Sequence, residues 1–93
     1  MASYVFTLHV PADRAYRGIG PDVAGRFVEI IGGTSAEGAA LASTLAEALN
    51  RVAPAPTGDV EIDFRSTPAG IEVTARCAGR SSVVTHAFPA RQA

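Results

Sequence analysis

The first segment of the chain alternates residue types with the period of a β-strand. From residue 3 to residue 10 every second side chain is aromatic or aliphatic, and the run ends at Pro11. The residues that share this face are Tyr4, Phe6, Leu8 and Val10. We expect a strand over residues 3–10 whose inner face is aromatic and aliphatic.

Apolar residues then recur at helical spacing after a loop over residues 11–20. Pro21 is favoured at the first position of a helix, and Asp22 suits the positive end of the helix dipole. Gly32 and Gly33 are typical of a helix end. The apolar positions between these signals are Val23, Phe27, Ile30 and Ile31. The pattern predicts a first helix that begins at Pro21 and ends before Gly32.

A second helix is predicted directly afterwards. The run from Thr34 to Glu37 is a capping box, in which the hydroxyl and the carboxylate each satisfy a backbone N–H of the first turn. Pro54 and Pro56 prevent the helix from continuing. Its apolar positions are Leu41, Leu45, Ala48, Leu49 and Val52.

From residue 59 the apolar period changes from helical to two, which predicts three further strands joined by short turns. Turns are predicted at residues 67–70 and at Ala78-Gly79, and the last strand at 81–88. The inner positions of the first two of these strands are Val60, Ile62, Phe64, Ile71, Val73 and Ala75. The facing of the last strand stays open, because Val83 and Val84 are adjacent.

The order of these elements predicts an α+β fold. We expect a two-layer sandwich of order β-α-α-β-β-β, with two helices on one face of a mostly antiparallel four-stranded sheet. A chain of 93 residues has room for one domain, residues 1–93, and residues 89–93 are expected to form a flexible tail.

Composition excludes several classes of function. The eight basic residues, all Arg, are scattered among nine acidic ones for a net charge of -1, which argues against nucleic-acid binding. No apolar run approaches the ~20 residues of a membrane span, and the start lacks a signal peptide. A single cysteine, Cys77, agrees with a reducing compartment, so a cytoplasmic location is expected.

Nucleophilic and metal chemistry have weak support in the sequence. Cys77, with His9 and His86 on strands, would be the pieces of a small-molecule or enzymatic site, but no recognisable motif connects them. No closely spaced ligand pairs indicate a metal, so we predict no metal site. A packed cysteine and solvated or packed histidines are the expected alternative.

The second helix carries one polar spacing of interest. Glu47 and Asn50 are three residues apart, so they are neighbours on one side of the helix. Both fall opposite the apolar positions at ~100° per residue, so they should point away from the core. On the pattern alone, an ordinary solvated helix face is the favoured explanation.

The strand ending in PAD, the capped helix with LAEALNRVA and the hairpin DVEIDFRSTPAGIEVTARCAG together resemble the N-terminal half of the anti-sigma-factor kinases. These belong to the histidine-kinase-like ATPase superfamily. The resemblance implies that the Glu of a Glu-Ala-Leu-x-Asn motif activates the attacking water or hydroxyl and that the Asn holds Mg²⁺. Residues 47–49 match that motif. Arg51 stands where the Asn belongs, and Asn50 lies one place early.

The family's next motif, Asp-x-Gly-x-Gly, reads adenine through its Asp. At the corresponding residues 75–79 only Gly79 matches, because Ala75 replaces the Asp and Cys77 replaces the first Gly. The 93-residue chain also ends before the family's nucleotide lid, second glycine motif and last strands. The resemblance therefore implies a degenerate, shortened relative that keeps the scaffold and lacks the ATP site.

Two functions follow. The first is a non-catalytic bacterial regulatory or protein-interaction module with no cofactor. It would bind a protein partner, such as a transcription or signalling regulator, and form a homodimer through the edge of the first or last strand. The alternative is a residual nucleotide-binding domain or phosphotransferase for ATP and Mg²⁺, with Glu47 as the base and Asn50, Arg51 and Gly79 at the nucleotide.

Overall fold

Two helices and four strands follow each other in the order β-α-α-β-β-β, as predicted. The computed structural model describes residues 5–53 and 58–87; the expected tail at 89–93 lies outside them. The elements are β1 (Val5–Pro11), a short 3₁₀ helix (Arg14–Tyr16), α1 (Ile19–Ile30), α2 (Ser35–Val52), β2 (Asp59–Thr67), β3 (Gly70–Cys77) and β4 (Arg80–Ala87).

The four strands form one antiparallel sheet in the order β1-β2-β3-β4. One face of the sheet is buried beneath the helices and the other is largely solvated, so the α+β two-layer prediction is confirmed. The buried face carries Val10, Val60, Ile62, Phe64, Ile71, Val73, Ala75 and Val84. Within residues 5–53 and 58–87, neither helix combines the length and the apolarity that crossing a bilayer requires.

The register of the last hairpin decides the facing of β4, which the sequence left open. Val84 pairs with Val73 and is 5% exposed, whereas Val83 pairs with Thr74 and is 59% exposed. Val84 therefore belongs to the core and Val83 to the outer face.

The start of α2 has an identifiable cause, whereas the start of α1 differs from the prediction. The capping box of α2 is confirmed: the Glu37 N–H donates to Thr34 Oγ1 at 3.1 Å, and the Thr34 N–H donates to Glu37 Oε1 at 2.7 Å. α1 begins at Ile19, two residues before the predicted Pro21. Proline is tolerated there because the N–H groups of a first turn have no partner within the helix.

Two glycines, one from each helix, meet in backbone contact between α1 and α2. A Cβ added to Gly38 would lie 2.7 Å from the Gly25 carbonyl oxygen, whereas a Cβ added to Gly25 would lie 3.4 Å from the Gly38 oxygen. The first distance is a clash with backbone and the second is near van der Waals contact. The contact therefore requires glycine at position 38 and only tolerates it at position 25.

The β3–β4 turn contains a strained alanine. Its two loop residues, Ala78 and Gly79, have φ angles of 51° and 82°, the pair of positive values that a type I′ hairpin turn requires. Alanine is disfavoured there because its Cβ crowds the backbone in the left-handed region. The type I′ turn suits the hairpin, but Ala78 is an unfavourable residue for its first loop position.

Gly25 and Gly38 provide a matched pair of substitutions for the helix contact. We expect Gly38→Ala to lower the free energy of unfolding by about 1–2 kcal/mol, since overpacking against backbone exceeds the gain in helix propensity. Gly25→Ala should leave stability unchanged or raise it by up to about 1 kcal/mol. Urea unfolding of both variants measures the difference, and equal effects would contradict this description of the contact.

The turn strain predicts a stabilising substitution. Ala78→Gly should raise the free energy of unfolding by about 0.5–1 kcal/mol, because removing the Cβ relieves more strain than the added freedom of the unfolded chain costs. The control is Ala69→Gly in the β2–β3 turn, where φ is not positive and glycine brings no relief. Thermal unfolding should show a gain for the first variant and none for the second.

Candidate functional site

Glu47, Asn50 and Arg51 lie on the exposed side of α2, near its C-terminal end. The core-facing residues between them, Ala48 and Leu49, are buried. The prediction that Glu47 and Asn50 point away from the core is confirmed.

Arg17 joins this end of α2 to the segment after β1. Its Nε donates to the Ala12 carbonyl oxygen at 2.8 Å, one terminal nitrogen donates to Asn50 Oδ1 at 3.2 Å, and the other donates to the Ala53 carbonyl oxygen. The last carbonyls of a helix lack intrahelical partners and carry the negative end of the dipole, so a guanidinium stabilises them. Arg17 therefore acts as a C-terminal cap supplied from elsewhere in the chain.

This contact affects any metal chemistry at Asn50. The amide oxygen of Asn50 is the atom that would hold Mg²⁺, and it already accepts a hydrogen bond from a permanently charged guanidinium. A second cation at the same oxygen would be repelled by Arg17. The surroundings of Asn50 favour a structural role.

Two of the five positions compared above with the adenine-reading motif, Ala75 and Cys77, are part of the core. Ala75 is fully buried and Cys77 is 5% exposed; both lie on the β3 face that the helices cover. The expectation of a packed cysteine is confirmed. No carboxylate stands on that face of β3, and Gly79 forms the hairpin turn.

A shallow cleft of about 370 Å³ lies beside that turn. Its lining includes Gly79 but no residue of α2, so the cleft does not join Gly79 to Glu47, Asn50 or Arg51. The lining residues are His9, Asp59, Glu61, Arg76, Cys77, Ala78, Gly79, Arg80 and Ser81.

The structure separates the two histidines of the hypothetical cysteine and histidine site. His9 lies on the exposed face of β1, opposite Glu61, and shares the cleft with Cys77. His86 lies on the other edge strand, on the helix-facing side, with Nε2 3.8 Å from Glu37 Oε2. The part of the chain that the structure describes contains no group of three or more side chains placed to hold a metal ion.

The outer face of the sheet carries a polar network centred on Asp63. Thr7 Oγ1 donates to Asp63 Oδ1 at 2.6 Å, and Arg76 bonds both Asp63 and Glu61, the latter at 2.9 Å. The Thr7 hydrogen bond is the main cause that lowers the pKa of Asp63; burial opposes it, and the hydrogen bond and charge of Arg76 lower the pKa further. This face is thus held by charge-assisted bonds in contact with solvent.

The sheet is open, so β1 and β4 each present an unpaired backbone edge. The β1 edge ends in Pro11, a residue that typically limits further pairing. β4 contains no proline, and its segment Ser81–Thr85 is uncharged. Of the described surfaces, the β4 edge is the one most suited to pairing with another strand.

Sequence reasoning missed the role of Arg17 and left open which residues of β4 face outward. Arg17 lies in a segment that the pattern predicts as a loop, and its α2 partners are more than thirty residues away along the chain. The facing of β4 had a usable signal, because a two-residue turn at Ala78-Gly79 places Cys77 opposite Arg80 and so fixes the facing of every later residue.

No protein-family model matches the chain, and a search of curated proteins finds no match either. The likeness to the anti-sigma-factor kinases thus rests on the order of the elements and on the residues quoted above.

The Asp63 network predicts a specific pH dependence. The pKa of Asp63 is lowered from 3.8 in the folded chain, so its contribution to stability is present above that value and is lost as the pH falls through the lower folded value. Thr7→Val removes the main cause. We expect its loss of stability between about pH 7 and about pH 2.5 to be smaller than that of the wild type.

Thr74→Val is the matched control, since Thr74 lies opposite Asp63 on β3 and makes no contribution to its pKa. NMR titration of the Asp63 carboxyl gives a direct measurement. An Asp63 titration that Thr7→Val leaves unchanged would contradict the assigned cause.

Proposed function

We propose that this protein is a non-catalytic regulatory module of the bacterial cytoplasm that acts by binding a protein partner and a second copy of itself. The observation that carries the proposal is the hydrogen bond between Arg17 and Asn50. It commits the side-chain amide oxygen of Asn50 to a structural bond and places a permanent positive charge where a metal ion would be needed.

The residues at the other corresponding positions support the same interpretation. In the anti-sigma-factor kinases that the chain resembles, a carboxylate reads adenine. Here the equivalent residue is Ala75, fully buried among apolar side chains. A purine base brought to that position would meet no charged acceptor for its amino group. We therefore propose that the chain keeps the element order of these kinases but lacks the residues that bind the nucleotide.

The surfaces that remain are suited to protein contacts. The outer face presents acidic and basic groups on neighbouring strands, and two strand edges offer unpaired backbone groups. Fixed charges on a face determine which partner docks and how fast, while an edge offers backbone hydrogen bonds. We propose a transcription or signalling regulator as the partner of the outer face.

Nucleotide binding separates this proposal from the alternative, a residual nucleotide-binding domain or phosphotransferase with Glu47 as the base. We expect no change in melting temperature with millimolar Mg-ATP or Mg-ADP. A nucleotide present at 100 times its dissociation constant would add about 2.7 kcal/mol of stability.

Glu47→Ala and magnesium chloride without nucleotide are the controls for that measurement. A stabilisation by Mg-ATP that Glu47→Ala abolishes would overturn the proposal and support the alternative. A flat response in both proteins supports a non-catalytic role.

A further inference from the structure

The β3–β4 turn determines which backbone groups of β4 face outward. In a two-residue hairpin turn the N–H of Arg80 bonds back to the carbonyl of Cys77, and the two residues are directly paired. Backbone direction alternates along an antiparallel strand. Ser82 and Val84 therefore bond toward β3, whereas the N–H and C=O groups of Ser81, Val83 and Thr85 point to the free edge.

The side chains at those three positions are suited to strand pairing. Ser81, Val83 and Thr85 are uncharged, two of them are β-branched, and all lie on the outer face. Charged or proline residues, the usual protection of an edge, are absent from residues 81–85. Val83, 59% exposed, stands at the middle of this segment.

We propose that two copies of this chain pair antiparallel through β4, about a two-fold axis at Val83, to form one continuous eight-stranded sheet. The inference rests on the self-association in the proposed function and specifies its surface. Val83 then faces Val83 of the second copy, and Ser81 faces Thr85 of the second copy. No like charges meet in this register, because the segment itself is uncharged.

The same two-fold axis brings the β4-facing flanks of the two α2 helices next to each other. Of the strands, β4 is the one on which α2 packs most, and Glu37 contacts His86 on that strand. Residues spaced three and four apart from Glu37 share its flank. They are Ala40, Thr44, Glu47 and Arg51.

The rises of helix and strand place Thr44 about level with Val83, at the proposed axis. It is seven residues beyond Glu37, about 10.5 Å along the helix, and Val83 is three residues before His86, about 10 Å along the strand. The Thr44 hydroxyl is satisfied within α2, where it donates to the Ala40 carbonyl oxygen at 3.0 Å. The centre of the flank is thus made of small side chains, which allow two helices to approach closely.

Charges on this flank are complementary under the two-fold. Glu37 lies seven residues before Thr44 and Arg51 lies seven residues after it. When two α2 helices run antiparallel across the axis, Glu37 of each copy lies opposite Arg51 of the other. Opposite charges at both ends, with the small residues Ala40 and Thr44 near the axis, favour a second copy over an unrelated partner at this surface.

Disulfide trapping tests the register. In a hydrogen-bonded antiparallel pair the Cα atoms are about 5.5 Å apart, within the range that a disulfide spans. We expect Val83→Cys to form a covalent dimer under mild oxidation. Ser81→Cys and Thr85→Cys should each stay uncrosslinked alone and crosslink when mixed. The native Cys77 is buried, and the wild-type chain controls for it.

Light scattering across a concentration series tests the edge. Val83→Lys should raise the dimer dissociation constant by about tenfold or more, because two lysines would face each other at the axis. Val5→Lys is the matched control: Val5 is also on an edge strand and is 64% exposed, and its substitution should leave dimerisation unchanged.

A wild-type chain that is still monomeric at about 100 μM, roughly 100 times a micromolar dissociation constant, would overturn the pairing. So would a dimer that Val5→Lys disrupts and Val83→Lys does not, or a Val5→Cys chain that crosslinks in place of Val83→Cys. None of these results would show nucleotide binding. If the proposed dimer is wrong, the proposed non-catalytic role is therefore unaffected. A nucleotide-dependent stabilisation would overturn that role without affecting the crosslinks.

Discussion

The backbone contact between Gly25 and Gly38 is the constraint on which the rest of the structure depends. The sheet must bury one face, and four strands at about 4.8 Å spacing are covered by two helices side by side. Without a side chain at Gly38, α1 and α2 lie close together and share that surface. The position of α2 over β4 follows, and with it the flank from Glu37 to Arg51 that borders the free edge.

Most of the fold could be predicted because its signals are local. The capping box at Thr34, the alternation of Val60, Ile62 and Phe64, and the Ala78-Gly79 turn each depend on residues within a few positions of one another. The start of α1 was misplaced because Pro21 is acceptable at more than one position of a first turn. The facing of β4 required the pairing register, since two adjacent valines fit either face.

The candidate site was predictable only in part. Helical spacing correctly placed Glu47 and Asn50 on the exposed side of α2, and the residue type of Cys77 indicated burial. The bonds from Arg17 to Asn50 and Ala53 join parts of the chain that lie far apart in sequence, and spacing carries no information about such contacts. The separation of His9 from His86 likewise depends on strand order, which places β1 and β4 on opposite edges.

The strand order also has a consequence for how the chain folds. β2, β3 and β4 are joined by two-residue turns, so their pairing closes only short loops. β1 pairs Val5 with Arg65, sixty residues away, and both helices lie between them. Because loop-closure entropy is lost before distant contacts form, we expect the three-strand meander to assemble first and β1 to dock last. Of the four strands, β1 leaves the ribosome first during synthesis, so it stays unpaired for the longest time.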